Sequence, residues 1–443
     1  MKKIFGTDGI RGTANKYPMT AEMALQFGKA AAELFKHNKQ TKIVIGKDTR
    51  LSGYLFETAL TAGILSCGVD VYLVGPMPTP AVAHLTKSMN ADAGIVISAS
   101  HNPAGDNGLK LFAGDGYKLS DEREEEMEKL MMEELTLDEE AVKPIGKAHR
   151  VDDAIGRYIE YAKSTIKSIS LNGLKIVLDC AHGAAYKVAP TIFTELGADV
   201  VALNVKPDGL NINQNCGALH PEQLKAAVVK EKADVGIAFD GDADRVIFVD
   251  EKGNEIDGDR IMAILAVEMK RQRKLEKDTI VATVMSNAGF EETLKEKGIT
   301  VLRTPVGDRY VADVLKKGYS LGGEQSGHII ITDYSTTGDG IIAALQVLAI
   351  MKKEEKKISE LGSIVRLYPQ TLINVTVKEK KDFNKMKTVA EAVKDAEKQL
   401  KGKGRVLLRY SGTEHVARVM VEGKADIVKI AQRIVDALRQ EIG

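Results

Sequence analysis

The chain of 443 residues carries 62 basic and 62 acidic side chains and no formal net charge, a balance that argues against a general nucleic-acid or membrane-surface binder. Hydrophobic residues make up 44 % and charged residues 28 %, as in ordinary globular proteins, and the length implies about three or four separate cores. The three cysteines, Cys67, Cys180 and Cys216, lack CxxC spacing, so free thiols in a reducing compartment, the cytoplasm, are expected. The opening MKKIFGTDGIRG turns polar after two apolar residues and does not read as a signal peptide. The longest apolar run, 341–351, is about eleven residues, is interrupted by Gln346 and reads as a buried helix rather than a membrane span.

In chain order, an N-terminal strand leads into the GTDGIRG loop, and a helical pattern covers 21–36. KIVIG at 42–46 reads as a short buried strand. A helix at 56–66 follows, then the Gly-led strand VDVYLVG, a Pro-rich turn at 76–80, a helix at 81–88 and the stretch GIVISASHNPAGDNGLKLF at 94–112. Strands alternating with helices imply a parallel or mixed sheet covered on both faces. The same order returns from KIVLDCAHG at 175–183 and from TIVATVMSN at 279–287. Three copies of strand, helix, Gly-led strand, helix, strand, polar loop and hairpin-like piece are therefore expected. The loops closing them are ASASHNP, DGDADR and GEQSGH. A charged helical connection is expected over 122–157. The remainder, with strands at 371–377, 405–408 and 416–421 and helices at 383–400 and 427–442, reads as a smaller α+β domain. The fold expected is α/β: three similar α/β domains with mixed sheets plus a smaller C-terminal α+β domain. The boundaries expected are 1–152, 153–253, 254–365 and 370–443.

Each domain presents one polar loop, and the first three lie where α/β folds meet their ligands, beyond the carboxyl ends of strands. Ser100 stands at such an end, before the turn formers His101, Asn102 and Pro103. By itself SASHNP is ordinary turn chemistry. Asp240, Asp242 and Asp244 alternate around Gly241, and three carboxylates so close repel one another unless a cation neutralises them. An all-oxygen donor set suits Mg²⁺; an EF-hand is excluded by Arg245 at the position of the loop glycine. Glu324, Gln325, Ser326 and His328 lie between glycines and suit sugar hydroxyl or amino groups, or form a hydrogen-bonded turn. Arg409, Ser411, Gly412, Thr413 and Arg418, with Arg405 nearby, offer what a phosphate dianion needs. The bland reading has these arginines paired with Glu414 and Glu422. A strand-end serine, a carboxylate cluster for Mg²⁺ and a separate phosphate site together indicate phosphoryl transfer with the serine as carrier. Walker A, nucleophile-elbow, H-E-x-x-H and complete dinucleotide motifs are missing from the sequence.

ASASHNP, DGDADR, GEQSGH and RYSGTE, in this order over nearly the whole chain, resemble the four signature loops of the α-D-phosphohexomutases. The resemblance implies a phosphorylated Ser100, one Mg²⁺ per active site on Asp240, Asp242, Asp244 and the Ser100 phosphate, and sugar contacts by Glu324 and Ser326. It implies that Arg409, Ser411, Gly412, Thr413 and Arg418 hold the non-reacting phosphate of a small-molecule sugar phosphate, with a sugar 1,6-bisphosphate or a kinase as phosphoryl primer. Gln325 in the third loop is associated with amino sugars, and Met or Glu there with neutral hexoses. Two positions depart from the pattern: Tyr410 and His415 stand where proline is common, loosening the loop backbone. Lys110 is the candidate general base, ahead of His101 and His328, and Arg11 and Arg245 are candidate anion contacts. A hinge is expected at 363–369. Neither nucleic acid nor membrane is an expected partner, and a homodimer is compatible with the sequence. The competing readings are a mutase acting on a neutral hexose, a sugar-phosphate-binding regulator without turnover, and a Mg²⁺-dependent phosphatase.

Overall fold

The computed structural model describes residues 4–6, 8–37, 40–132, 144–167, 169–400, 404–410 and 416–443. Four sheets account for its strands. The first runs Ile10–Thr13, Asp106–Ala113, Ala93–Ile97, Lys42–Lys47, Asp70–Pro76, Ala148–Arg150; the second runs Glu255–Ile256, Val246–Asp250, Val235–Phe239, Lys175–Asp179, Asp199–Leu203. The third runs Thr300–Thr304, Thr279–Thr283, Leu321–Gly323, Ile329–Ile331.

A common unit is embedded in all three. Its first strand pairs in parallel with both its second and its third, and the third pairs antiparallel with the fourth. The third strand of each copy, Ala93–Ile97, Val235–Phe239 or Leu321–Gly323, is wholly buried, as expected for strands covered on both faces. The threefold repeat read from the sequence is thus present, and each signature loop joins the third strand to its antiparallel neighbour.

The described chain divides into two compact units, Met1–Met285 with Ile299–Ile364, and Ser286–Gly298 with Val365–Gly443. The division at Ile364 falls inside the 363–369 segment. In the second unit, strands Gln370–Thr376, Val416–Gly423 and Gly404–Tyr410 form an antiparallel sheet in that order. Helices Lys387–Leu400 and Ile427–Ile442 pack their apolar faces on it through Val389, Leu400, Ile430, Ile434 and Leu438. This is the smaller α+β domain.

Two local expectations are corrected. No described residue precedes the GTDGIRG loop in a strand; the strand is Ile10–Thr13, which starts inside the loop and ends one residue past it. Phe5 is instead buried against Phe27, and the N–H groups of Ile4 and Phe5 both donate to Glu128 at 2.7 Å. The connection over 122–157 is not helical throughout. Helix Asp121–Met132 and helix Ala154–Ser164 flank the edge strand Ala148–Arg150, which pairs with Asp70–Pro76. Three residues without alternation give no strand signal; the stacking of His149 on Tyr72, centroids 4.8 Å apart, holds the strand in place. The 341–351 run is the buried face of helix Gly340–Glu354, and no described helix is long and apolar enough to cross a membrane. Cys67, Cys180 and Cys216 are buried free thiols.

Candidate active site

Strand Ala93–Ile97 ends one residue before Ser98, and the backbone then turns sharply enough to place Ser100 at φ +51. The turn is held from below by Arg50, a fully buried side chain. Its Nη2 donates to the carbonyls of Ser100 at 3.0 Å and Asn102 at 2.8 Å, Nη1 to Asp106 O at 3.0 Å and to Pro103 O, and Nε to Asp48 Oδ2 at 2.8 Å. Ser98 Oγ donates to the same Asp48 oxygen at 2.7 Å and accepts the Ser100 N–H at 2.9 Å. The Ser100 hydroxyl therefore points one way: Oγ donates to Asp240 Oδ2 at 2.5 Å, with His101 Nδ1 at 3.4 Å on its other side.

Asp240, Asp242 and Asp244 are all buried, and one oxygen from each lies within 4.8 Å of the others. Burial and the neighbouring charges of Asp244 and Asp242 hold the Asp240 carboxyl well above the usual carboxylate range. For Asp244 burial pushes the same way, but facing His328 and Lys110 outweigh it and hold its carboxyl far below that range. Oδ1 of Asp242 and Oδ1 of Asp244 are buried and have no hydrogen-bond partner among the described residues. Hard oxygen donors, some unsatisfied and all withdrawn from water, fit a small divalent cation such as Mg²⁺.

The cluster is faced by cations. Lys110 Nζ lies 2.8 Å from Asp242, 3.2 Å from Asp8 and 3.7 Å from Asp244. Burial opposes its charge, yet Asp242, Asp8 and Asp244 together hold its ammonium above the usual lysine range. Thr79 Oγ1 donates to the Asp242 oxygen that Lys110 also contacts, at 2.5 Å. Asp8 further binds Arg11 and Lys118, and Lys118 binds Asp308, linking the N-terminal loop of the first copy to the third. Arg11 and Arg245 each keep a buried Nε without a hydrogen-bond partner among the described residues. Burial, with Arg245 and Arg11 nearby, lowers the His101 imidazole to about 4, so it is neutral near pH 7. His328 accepts the Gly338 N–H on Nε2 at 3.0 Å, which leaves Nδ1 as the protonated nitrogen, 3.5 Å from Asp244 Oδ2.

The third loop lies against the second: Val246 N–H donates to Gly327 O at 3.1 Å, and Arg245 and His328 form a β-bridge. Glu324 accepts the Gly307 N–H at 3.1 Å, and Ser326 Oγ reaches Glu324 Oε2 at 3.4 Å. The Gln325 side chain bonds Asp257, the N-cap of helix Gly258–Arg271.

In the second unit Arg409 and Arg418 stand directly opposite each other on adjacent strands. Ser411, Gly412, Thr413 and His415 lie outside the described residues, as does Glu414. Arg405 is engaged elsewhere, with Nε 2.5 Å from Glu422 and Nη2 donating to Ser286 O at 2.6 Å. Tyr410, the last described residue before that loop, is itself anchored. Its ring stacks on Phe383 with centroids 4.3 Å apart, its OH donates to Lys381 O at 2.7 Å and accepts Lys381 N–H at 3.1 Å.

Ser100, His101, Lys110, the three aspartates, Arg245, His328 and Arg11 thus gather in one place within the first unit, with Glu324 and Ser326 on the loop packed beside it. Asp8, Arg50, Thr79, Lys118, Asn213 and Asp308 belong to the same network and were not singled out from the sequence. The place of Arg50 on a ligand-side loop could be read, since DTR follows strand Lys42–Lys47 at the carboxyl end where the fold gathers ligand loops.

Four family models match along the chain: phosphoglucomutase/phosphomannomutase alpha/beta/alpha domain I at residues 2–138, domain II at 156–253, domain III at 257–368, and the C-terminal domain at 372–440. Curated relatives include the phosphoglucosamine mutases of Citrifermentans bemidjiense, 58 % identical over 100 % of this chain and 99 % of that one, and of Geobacter metallireducens, 56 % identical over 100 % of both. Among solved structures, a phosphoglucomutase/phosphomannomutase family protein from Burkholderia thailandensis has a TM-score of 0.81 at 25 % identity, covering 100 % of this chain and 99 % of that one. The Aspergillus fumigatus N-acetylphosphoglucosamine mutase, in complex with GlcNAc-6P and magnesium, shares the fold at TM-score 0.67 and 18 % identity, covering 98 % of this chain and 95 % of that one. With all four domains matched in order and relatives aligned end to end, the chain belongs to the phosphoglucomutase/phosphomannomutase family, the phosphohexomutases.

Proposed function

We propose that this chain is a phosphoglucosamine mutase, interconverting glucosamine 6-phosphate and glucosamine 1-phosphate through a phosphorylated Ser100 and a 1,6-bisphosphate. The observation that carries the reading is the Ser100 hydroxyl fixed 2.5 Å from Asp240 at the rim of a buried three-carboxylate cluster. The curated relatives at 54–58 % identity, which are named phosphoglucosamine mutases, support the amino sugar.

In the forward direction the C1 hydroxyl of the substrate attacks the phosphorus of phospho-Ser100. The serine O–P bond breaks as the new one forms, and the hydroxyl proton leaves to a base. Asp240, Asp242 and Asp244 would hold one Mg²⁺, which when bound neutralises charge on the phosphoryl oxygens. Arg11 and Arg245, each with a buried Nε that has no hydrogen-bond partner among the described residues, would contact the same anion. Lys110 is the first candidate for the base. Its ammonium gives up a proton only when other positive charge competes for the carboxylates around it. His101, neutral and 3.4 Å from Ser100 Oγ, is the second. Glu324 and Ser326 would contact the sugar, and Arg409, Ser411, Gly412, Thr413 and Arg418 the resting phosphate. The bisphosphate must then turn end for end to return its 6-phosphate to Ser100, and 363–369 is the hinge that such a turn needs. The three α/β domains are placed at 1–152, 153–253 and 254–365 and the phosphate-binding domain at 370–443, in the cytoplasm, with a sugar 1,6-bisphosphate or a kinase as primer.

³¹P NMR of the purified protein with Mg²⁺, glucose 1,6-bisphosphate and glucosamine 6-phosphate tests this. Glucosamine 1-phosphate should accumulate, and Ser100→Ala should abolish the conversion while still binding glucosamine 6-phosphate. Wild-type turnover in Ser100→Ala, or steady release of inorganic phosphate, contradicts the reading.

A further inference from the structure

The carbonyls of Ser100 and Asn102 each accept two side-chain donors, and the two donors come from different copies of the repeat. Arg50, just past the first strand of the first copy, supplies one, at 3.0 and 2.8 Å. Asn213, on the loop that follows strand Asp199–Leu203 in the second copy, supplies the other, its Nδ2 lying 2.8 Å from Ser100 O and 3.0 Å from Asn102 O. The two copies are joined at the same place through Thr49 Oγ1 to His182 O at 2.6 Å and Leu51 N to Gly209 O at 2.9 Å.

The metal loop closes this group. A Cβ added at Gly241, between Asp240 and Asp242, would come within 2.5 Å of Ser100 O and 2.8 Å of Asn213 Nδ2. The Ser100 carbonyl is therefore the point at which the serine loop, the Asn213 loop and the aspartate loop meet. Asn213 is built for it: its backbone is left-handed at φ +59 and its N–H is held by Ala181 O at 2.9 Å, a conformation that asparagine adopts more readily than most residues.

We propose that Asn213 is a positioning residue for phosphoryl transfer. Its carboxamide sets the left-handed Ser100 against the aspartate cluster, so that the serine oxygen is presented to the transferring phosphoryl in one orientation. This rests on the mutase reading above. A residue that served folding alone would change stability and leave the chemical step intact.

Two variants test it. Asn213→Gly deletes the donor at a position whose positive φ suits glycine better than any other residue, and Asn213→Asp keeps the shape but replaces the donor by an acceptor. In each, kcat on glucosamine 6-phosphate should fall about ten- to a hundredfold, the size expected for displacement of a reacting group by up to about 1 Å. KM and the Mg²⁺ concentration for half-maximal activity should stay within about threefold. The rate at which glucose 1,6-bisphosphate phosphorylates the dephosphorylated protein should fall in parallel. Asn213→Gly with kcat and phosphorylation rate within threefold of wild type overturns the proposal, as does a loss carried entirely in KM. The phosphorylation rate reads the clamp even if the sugar assignment is wrong, in which case wild type phosphorylates normally yet does not turn over glucosamine 6-phosphate.

Discussion

At φ +51, Ser100 occupies a backbone region that a non-glycine residue enters at a cost of about 1–3 kcal/mol. Donors from Arg50 and Asn213, and the Ser98 hydroxyl that accepts the Ser100 N–H, offset that cost, so the orientation of the Ser100 side chain is a property of its surroundings. Gly241 supplies the room. Gly241→Ala places a methyl group where the Ser100 carbonyl and the Asn213 amide already meet, so one of the three loops must shift. We expect kcat to fall at least tenfold and stability by roughly 1–3 kcal/mol, measured by steady-state kinetics and denaturant unfolding. An alanine variant with wild-type kcat would mean that the three loops do not need this close approach. SASHNP and DGDADR were legible in the sequence because their chemistry is local. Asn213 was not, and of Arg50 only its place on a ligand-side loop could be read, because each acts on carbonyls fifty or more positions distant and only the folded topology brings them there.

The first three signature loops share one structural setting, the link between a buried parallel strand and its antiparallel neighbour, and this made the repeat readable from apolar runs closed by polar loops. The edge strand Ala148–Arg150 was missed for the converse reason: its three residues carry no alternation and are held by pairing with Asp70–Pro76 and the stacking of His149 on Tyr72. The strand Gly404–Tyr410 illustrates a third case. The sequence suggested a loosened phosphate loop because Tyr410 and His415 stand where proline is common; the loop itself lies outside the described residues, and Tyr410 at its edge is fixed by the Phe383 stack and two bonds to Lys381. Tyr410→Phe keeps the stack and removes both bonds. If the anchor serves the phosphate loop, KM for glucosamine 6-phosphate should rise about three- to tenfold with kcat changed less than twofold; an unchanged KM would leave the anchor with a purely structural role.

On the scale of the molecule, the buried pair Asp339 and Tyr158 ties helix Ala154–Ser164 to the N-terminus of helix Gly340–Glu354, whose Gly340 N–H in turn donates to Ala243 O of the aspartate loop at 3.1 Å. Tyr158 OH lies 2.8 and 2.9 Å from the two carboxylate oxygens. Burial, only partly countered by the Ile342 N–H and Tyr158, raises the Asp339 carboxyl to about 6. A carboxyl raised on folding contributes stability that is fully present below its unfolded value near 3.8 and is lost as pH rises through about 6. Asp339→Asn keeps a competent N-cap without the charge. Wild type should therefore lose stability relative to Asp339→Asn between pH 4 and 6, by roughly 2–3 kcal/mol. His84, lowered to about 4 by burial and Lys87, and Tyr161 also face this site and are common to both proteins, so the difference isolates Asp339. Parallel pH profiles of the two would contradict the assignment.

The central claim is that these loops together convert an amino-sugar phosphate. It is tested most directly by kcat/KM of the purified protein, with Mg²⁺ and a sugar bisphosphate, on glucosamine 6-phosphate, glucose 6-phosphate and mannose 6-phosphate side by side. A preference of about a hundredfold for glucosamine 6-phosphate, roughly 2.7 kcal/mol in transition-state binding, is expected. Equal or faster turnover of a neutral hexose phosphate would contradict it.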